Sequence, residues 1–291
     1  MYIFSTLKSM LKPSNLGTWI FFALNIGLVR LIFSDVPSDA MIIIWVIYGA
    51  SVLISLSPIG EFILCAIAGA SPIARTDMQL RALPILDVVY ARAKEKTPNL
   101  PKKINLWLIH DPAPNAFAIG RRTICVTDGF FNLPDTEMMG LIAHEMGHLA
   151  NRHTEIQLLI GGANIFITGF LLILKLVSWI VAAICGLVAL FSRNLMTGCL
   201  IAVFGTLSVI AVIVWTRFCM AFLMWSMRSN EYIADKYAAE IGFGFELAKA
   251  LDVICYSEPH NGLLKALNAS HPNVHDRVGR LQQMGVPYSR Y

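Results

Sequence analysis

The stretch His144-Glu145-Met146-Gly147-His148 places two histidines four residues apart, with a glutamate directly after the first. On a helix, residues four apart lie on one face, so both imidazoles can reach a single metal ion. Glu145 lies about 100° further round the helix, close enough to reach a water held by that metal. The pattern predicts a hydrolytic zinc site, because a structural zinc is normally closed by four ligands and has no use for the glutamate.

The rest of the chain has the composition of an integral membrane protein. Of its 291 residues, 56% are hydrophobic and only 14% are charged, against about 25% charged in a soluble domain. The mean hydropathy is +0.61. The net charge of +4 is modest and predicts no nucleic-acid partner. The six cysteines contain no CxxC pair, which argues against a disulfide framework and against a cysteine-rich metal site.

Four apolar blocks predict membrane spans, since about 20 residues cross a bilayer. No small-residue cleavage site follows the first block, so we expect it to remain as an anchor. The third block is too long for one upright span. It is either a tilted helix or the continuation of a helix from outside the membrane, with Gly161-Gly162 as the place for a bend. The blocks cover roughly residues 16–33, 40–58, 156–191 and 198–227.

These blocks divide the chain into four parts. Residues 1–70 form an N-terminal membrane anchor with two spans, and residues 71–155 form a catalytic segment with the HEMGH helix. Residues 156–227 hold two further spans, and residues 228–291 form a C-terminal catalytic segment. The predicted fold class is therefore mainly α, a multi-pass membrane protein with a zincin-like α+β catalytic domain.

Local patterns within residues 71–155 predict a helix, three short strands and the start of the HEMGH helix. Asp135 is the predicted N-cap of that last helix, directly after Pro134. Four histidines outside the motif are interpreted as surface or local hydrogen-bonding residues: His110, His153, His260 and His275. The predicted helix covers residues 76–96, and the strands cover 104–109, 115–118 and 123–126.

A catalytic zinc needs a third protein ligand on the same side of the membrane as His144 and His148. Two crossings separate these histidines from Asn230-Glu231-Tyr232-Ile233-Ala234-Asp235, and an even number returns the chain to the same side. Glu231 and Asp235 share a helix face. We therefore predict Glu231 as the third ligand and Asp235 as the hydrogen-bond acceptor of a zinc-bound histidine. The alternative is an ordinary solvated helix start after a span.

The order HEMGH, two spans and NEYIAD resembles the HtpX-type membrane zinc metalloproteases, which are relatives of the CaaX prenyl proteases. The resemblance covers nearly the whole chain. It implies one Zn²⁺ per chain and a gluzincin-type endopeptidase. It also implies that the substrates are damaged or misassembled membrane proteins, degraded for quality control, and that the purified chain can cleave itself.

Two further stretches carry the resemblance. Asn115-Ala116-Phe117-Ala118 looks like the family's NAFA strand, which implies that Asn115 helps to hold the substrate backbone. Ser270-His271-Pro272, with Arg277, resembles the family's tail motif and implies a role for His271 towards substrate or transition state. An ordinary edge strand and a local packing role for His271 are the alternatives. The chain departs from the family at Asn230, where arginine is common, and near Asn273, where a second proline is common.

Lysine and arginine near the span ends predict the orientation. Seven lie on the motif side, whereas Arg193 alone lies in the short loops on the other side. We therefore expect a protein of the cell inner membrane with its active site and both termini in the cytoplasm. Lys175 and Arg217 fall within apolar blocks, where they either pair with polar groups or line a cavity. The seven are Lys8, Lys12, Arg75, Arg81, Arg152, Arg228 and Lys236.

Together these observations predict a membrane-bound zinc endopeptidase that acts on membrane-protein or peptide substrates at the bilayer surface. His144, His148 and Glu231 bind Zn²⁺, and Glu145 takes the proton of the attacking water. Two alternatives stay open. One is a CaaX-type processing protease, for which the chain looks short. The other is a non-enzymatic membrane metal-binding protein, which would place its ligands inside the spans.

Overall fold

The computed structural model describes residues 11–160, 224–254 and 272–289, with scattered helical positions between 169 and 221. It is mainly helical with one small sheet. The predictions for His271, Lys175 and the Gly161-Gly162 bend lie outside the described residues. The helices are Leu16–Ile32, Ser38–Ser55, Pro58–Ile67, Thr76–Lys96, Asp135–Asn151, Gly244–Ile254 and Val274–Gln283, and residues 153–160 and 224–240 are also helical. We call Asp135–Asn151 the motif helix, 224–240 the Glu231 helix and Val274–Gln283 the Arg277 helix.

The N-terminal helices are strongly apolar. Among the described residues, Ser38–Ser55 is the one helix that is long and apolar enough to cross a membrane, and only 11% of it is buried. Leu16–Ile32 packs beside it through Phe21, Phe22 and Val29. Ile156 and Leu159, which follow the motif helix, join the same cluster. The first apolar helix therefore packs against helical residues 153–160, which follow the motif helix.

A four-stranded mixed sheet lies beside the motif helix. In space the strands run β1-β2-β4-β3, with β2 and β4 parallel and the other pairs antiparallel. Three of the strands match the predicted ones to within one residue. The short β1 and the parallel pairing were not predicted. The strands are β1 Ser71–Pro72, β2 Asn105–Ile109, β3 Ala116–Ile119 and β4 Thr123–Thr127.

Two glycines let other elements approach the motif helix closely. A methyl group on Gly140 would lie 2.3 Å from the backbone nitrogen of Leu247, in helix Gly244–Ile254. A methyl group on Gly147 would lie 2.9 Å from the Cα of Ala234, in the Glu231 helix. Gly147 thus permits the contact that brings the Glu231 helix against the two histidines, which explains the glycine within HEMGH.

The N-cap prediction for Asp135 is wrong. The motif helix begins at Asp135, its N-cap is Pro134, and no side chain caps it. The proline ring fixes φ of Pro134, so this residue takes the flanking extended position and Asp135 is already helical. The Asp135 carboxylate instead accepts a hydrogen bond from Arg81 Nε at 2.7 Å, which ties the motif helix to helix Thr76–Lys96.

Candidate metal centre

Three side chains bring donor atoms to one buried point. The motif helix holds His144 and His148 with their Nε2 atoms 3.1 Å apart. Glu231 contributes Oε2 at 3.3 Å from His144 Nε2 and Oε1 at 3.3 Å from His148 Nε2. Four ligands at about 2.0–2.1 Å around a tetrahedral zinc lie about 3.3–3.4 Å from one another. The spacing of these atoms therefore fits one shared metal ion.

Glu145 lies beside this group, and its side chain points towards the edge of the sheet. Its Oε1 is 3.9 Å from His144 Nε2, farther than Oε2 of Glu231, which lies 3.3 Å from the same atom. Its Oε2 accepts a hydrogen bond from the backbone N–H of Ala118 in β3, at 2.7 Å. One ring nitrogen of each histidine and one Glu145 oxygen all lie within 4.8 Å of one another. Strand β3 therefore orients the Glu145 carboxylate next to the metal ligands.

Asp235 and Arg277 form a buried ion pair behind His144. Asp235 Oδ1 lies 2.9 Å from His144 Nδ1. Arg277 donates from Nη2 to Oδ1 at 2.6 Å and from Nε to Oδ2 at 2.9 Å. Burial alone would raise the pKa of Asp235, but the charge and hydrogen bonds of Arg277 outweigh it and lower the pKa to about 2. Asp235 is therefore ionised at neutral pH, and its carboxylate can accept a hydrogen bond from the Nδ1–H of His144.

The same neighbours set the charge preference of His144. Burial and the charge of Arg277 both oppose its protonation. Hydrogen bonds to Asp235 and Glu231 outweigh them and raise the pKa of His144 to about 9. The site thus favours a protonated, positively charged His144. A divalent cation that binds this ring competes with the proton.

His153, interpreted from the sequence as either a surface or a local hydrogen-bonding residue, is a buried neighbour of this site. It is only 1% exposed, and its Nδ1 lies 3.1 Å from Nδ1 of His148. Burial, followed by the effects of His148 and Lys12, holds the pKa of His153 well below its usual range. His153 is therefore neutral at physiological pH.

Asn115 lies immediately before the edge strand, and its proposed contact with substrate remains a prediction. Its backbone N–H donates to Thr127 Oγ1 at 2.9 Å, and its Oδ1 accepts from the N–H of Ala116 at 2.9 Å. Because Asn115 pairs with Thr127, the backbone groups of Ala116 and Ala118 point away from β4. They face the open edge where Glu145 lies.

The chain just before the first apolar helix also reaches the surroundings of the site, which the sequence did not reveal. Asn230, next to Glu231, donates from Nδ2 to Asn15 Oδ1 at 3.1 Å. Lys12 Nζ donates to Asn151 Oδ1, at the end of the motif helix, at 3.0 Å. Arg277 and His153 were likewise missed as site residues, although Arg277 was noted in the tail motif. No local pattern links such distant residues.

A histidine pair on one helix, a glutamate beside it and a carboxylate from a later helix define a metallopeptidase. The chain belongs to peptidase family M48, because the sequence model of that family matches residues 85–285. This range contains the three proposed metal ligands and Glu145, and it extends past Asn115 on one side and Arg277 on the other. The predicted metalloprotease activity and the predicted family resemblance are therefore confirmed.

Two relatives with protease names agree with this assignment. The chain is 27% identical over 260 residues to a "Protease HtpX homolog" of Syntrophobacter fumaroxidans, covering 76% of this chain and 82% of the relative. It is 31% identical over 210 residues to one of Desulforapulum autotrophicum, covering 63% of this chain and 64% of the relative. Among solved structures, that of Ste24p from S. mikatae is 17% identical with a TM-score of 0.47, covering 96% of this chain and 65% of that one.

Proposed function

We propose that the chain is a membrane-bound, zinc-dependent endopeptidase. The observation that supports this is the set of three side chains, His144, His148 and Glu231, whose facing nitrogen and oxygen atoms lie 3.1–3.3 Å apart, with Glu145 directly beside them. Zinc held by three protein ligands acts as a Lewis acid and lowers the pKa of water to about 7. The proposed ligands are His144, His148 and Glu231, and one ion is bound per chain.

Glu145 is the proposed general base. Because Oε2 is held by Ala118, Oε1 is the atom free to take the proton of the attacking water. The same oxygen then returns the proton to the leaving amine nitrogen. Asp235, itself fixed by Arg277, holds the proton on Nδ1 of His144 and so keeps Nε2 available.

Strand β3 is the proposed binding edge for an extended substrate. Its outward backbone groups at Ala116 and Ala118 can pair with a peptide as an added strand would. Because the N–H of Ala118 donates to Glu145, the peptide pairs with the outward carbonyl oxygens of Ala116 and Ala118. Asn115 is proposed to hold the substrate backbone at the start of this strand, and His271 to act on substrate or transition state.

The proposed orientation places the site and both termini in the cytoplasm, with the protein in the cell inner membrane. The bias of Lys and Arg towards the motif side supports it. The contact between the Glu231 helix and the motif helix supports an even number of crossings between them. An enzyme held at the bilayer in this way meets damaged or misassembled membrane proteins, which are its proposed substrates, and copies of itself.

Removal of the metal should abolish proteolysis reversibly. Detergent-purified wild-type protein treated with a zinc chelator is expected to stop cleaving an unfolded model membrane protein, because the proposed nucleophile depends on the ion. One equivalent of zinc added after the chelator is removed should restore cleavage. The measurement is the fraction of substrate cleaved on gels. Full activity in metal-free protein, verified by metal analysis, would contradict the zinc proposal.

Labelling of single cysteines tests the orientation. In a variant without the six native cysteines, Ser34→Cys should react with a membrane-impermeant maleimide added outside the inner membrane. Asn99→Cys, on the catalytic side, should react only after the membrane is opened. Both positions are exposed, so burial does not confuse the result. The reverse pattern would contradict the proposed topology.

A further inference from the structure

The two histidine ligands of the proposed zinc site have different supporting partners. Nδ1 of His144 meets the carboxylate of Asp235, whereas Nδ1 of His148 meets Nδ1 of His153 at 3.1 Å. We infer that His153 is a positioning residue of this metal centre, which accepts the hydrogen bond from Nδ1–H of His148 and so holds His148 Nε2 towards the metal. This inference rests on the proposed zinc site.

A break in the helix brings His153 to this position. In a continuous helix, residues five apart lie about 140° apart round the axis, so His153 would face away from His148. Arg152 interrupts the helix with a left-handed backbone, at φ 61°, and its N–H bonds back to the carbonyls of His148 and Leu149. The helix resumes at residue 153. The His153 ring consequently lies against that of His148, with ring centroids 5.3 Å apart and planes at 70°.

The roles of the two rings follow from the placement of protons. A hydrogen bond between two Nδ1 atoms needs one donor and one acceptor. His148 must leave Nε2 bare, because this atom faces His144 and Glu231 at 3.1 and 3.3 Å. Its proton is therefore on Nδ1, which makes it the donor. His153 is then the acceptor at Nδ1 and carries its own proton on Nε2.

The surroundings of His153 agree with an acceptor role. Both rings are buried, at 1% and 6% exposure, so water does not replace this hydrogen bond. Within the part of the chain that the structure describes, Nε2 of His153 has no hydrogen-bond partner. No described contact therefore holds His153 in the opposite tautomer, and Nδ1 is the one ring atom it uses.

Zinc affinity of two His153 variants tests the inference. In His153→Asn, the amide oxygen can stand close to the former Nδ1 and still accept, whereas His153→Leu keeps the bulk and removes the acceptor. Loss of a group that orients a histidine ligand typically weakens metal binding about 10–100-fold. Chelator competition on the full chain in detergent should show this loss for His153→Leu and a dissociation constant near that of wild type for His153→Asn.

Two outcomes would overturn the role of His153. One is wild-type zinc affinity in His153→Leu, and the other is an equal loss in both variants, which would indicate packing rather than hydrogen bonding. Thermal unfolding of the metal-free proteins serves as the control for folding. A wild-type protein that binds no zinc would instead contradict the proposed function itself.

Wild-type protein gives a second test that does not depend on any variant folding. Long-range ¹H–¹⁵N correlation spectra of the zinc-loaded, ¹⁵N-histidine-labelled chain report which ring nitrogen carries each proton. We expect a neutral His153 protonated at Nε2 and a His148 protonated at Nδ1. A His153 with its proton on Nδ1, or on both nitrogens, cannot accept from His148 and would overturn the inference.

Discussion

Zinc-loaded Glu145→Gln is expected to cleave substrate about 10²–10⁴-fold more slowly than wild type, the usual cost of losing a general base. Glutamine keeps the size of the side chain, and its amide oxygen can still accept from the N–H of Ala118, the contact that Glu145 makes at 2.7 Å. It cannot take a proton from water at neutral pH. Turnover and zinc content measured in the same preparation should show activity lost and metal retained.

The matched control is Glu137→Gln on the same helix. Glu137 lies in the first turn of the motif helix, about two turns before His144, so this change alters the helix charge equally without touching the proposed ligands. It should keep near-wild-type activity. Near-wild-type proteolysis by zinc-loaded Glu145→Gln would overturn the proposed mechanism. Loss of zinc together with activity would make Glu145 a ligand or a structural residue.

Self-cleavage offers the same comparison without an added substrate. If the purified wild-type chain cleaves itself in detergent, Glu145→Gln should accumulate intact under identical conditions. The two proteins differ by one atom in the side chain, so a difference in fragment pattern reports on chemistry rather than on folding or detergent.

The sequence predicted those parts of the fold that local patterns determine. Helix Thr76–Lys96 has apolar residues at helical spacing, strands β2, β3 and β4 are short, mainly apolar runs, and the proline at position 134 marks the start of the motif helix. The parallel pairing of β2 with β4 could not be predicted, because it depends on where β3 and its turn lie in space. Asp135 failed as an N-cap because Pro134 takes that position, and its carboxylate is bound instead by Arg81, more than fifty residues earlier.

The same difference between local patterns and distant contacts applies to the candidate site. His144, Glu145 and His148 are recognisable because one helix holds all three at fixed spacing. Glu231 and Asp235 required an added argument: after two predicted crossings, the chain returns to the side of the membrane from which it started. Arg277 binds Asp235 across 42 residues, and His153 reaches His148 only through the left-handed Arg152. Neither contact follows from spacing in a regular helix, so the sequence could not assign these residues their places around the metal.

Loss of the third ligand should have the largest effect on metal binding. Glu231→Ala is expected to weaken zinc binding by more than about 100-fold, beyond the range typical for groups that only orient a ligand. Two histidines alone do not complete a catalytic zinc site. The fold should survive, because Arg277 still donates to both oxygens of Asp235 in the metal-free protein. Chelator competition gives the affinity, and thermal unfolding with and without zinc gives an independent readout.

Glu240→Ala is the control, since Glu240 lies on the same Glu231 helix and pairs with surface lysines Lys96 and Lys236. Glu240→Ala also removes a glutamate side chain from this helix, but not one of the proposed metal ligands. Zinc should therefore raise the unfolding temperature of this variant as it does for wild type. Zinc should leave the unfolding temperature of Glu231→Ala unchanged. If Glu231→Ala retains tight zinc binding, another residue completes the site. The contact of the Glu231 helix with the motif helix would then be structural, and an even number of crossings would no longer be required for metal binding.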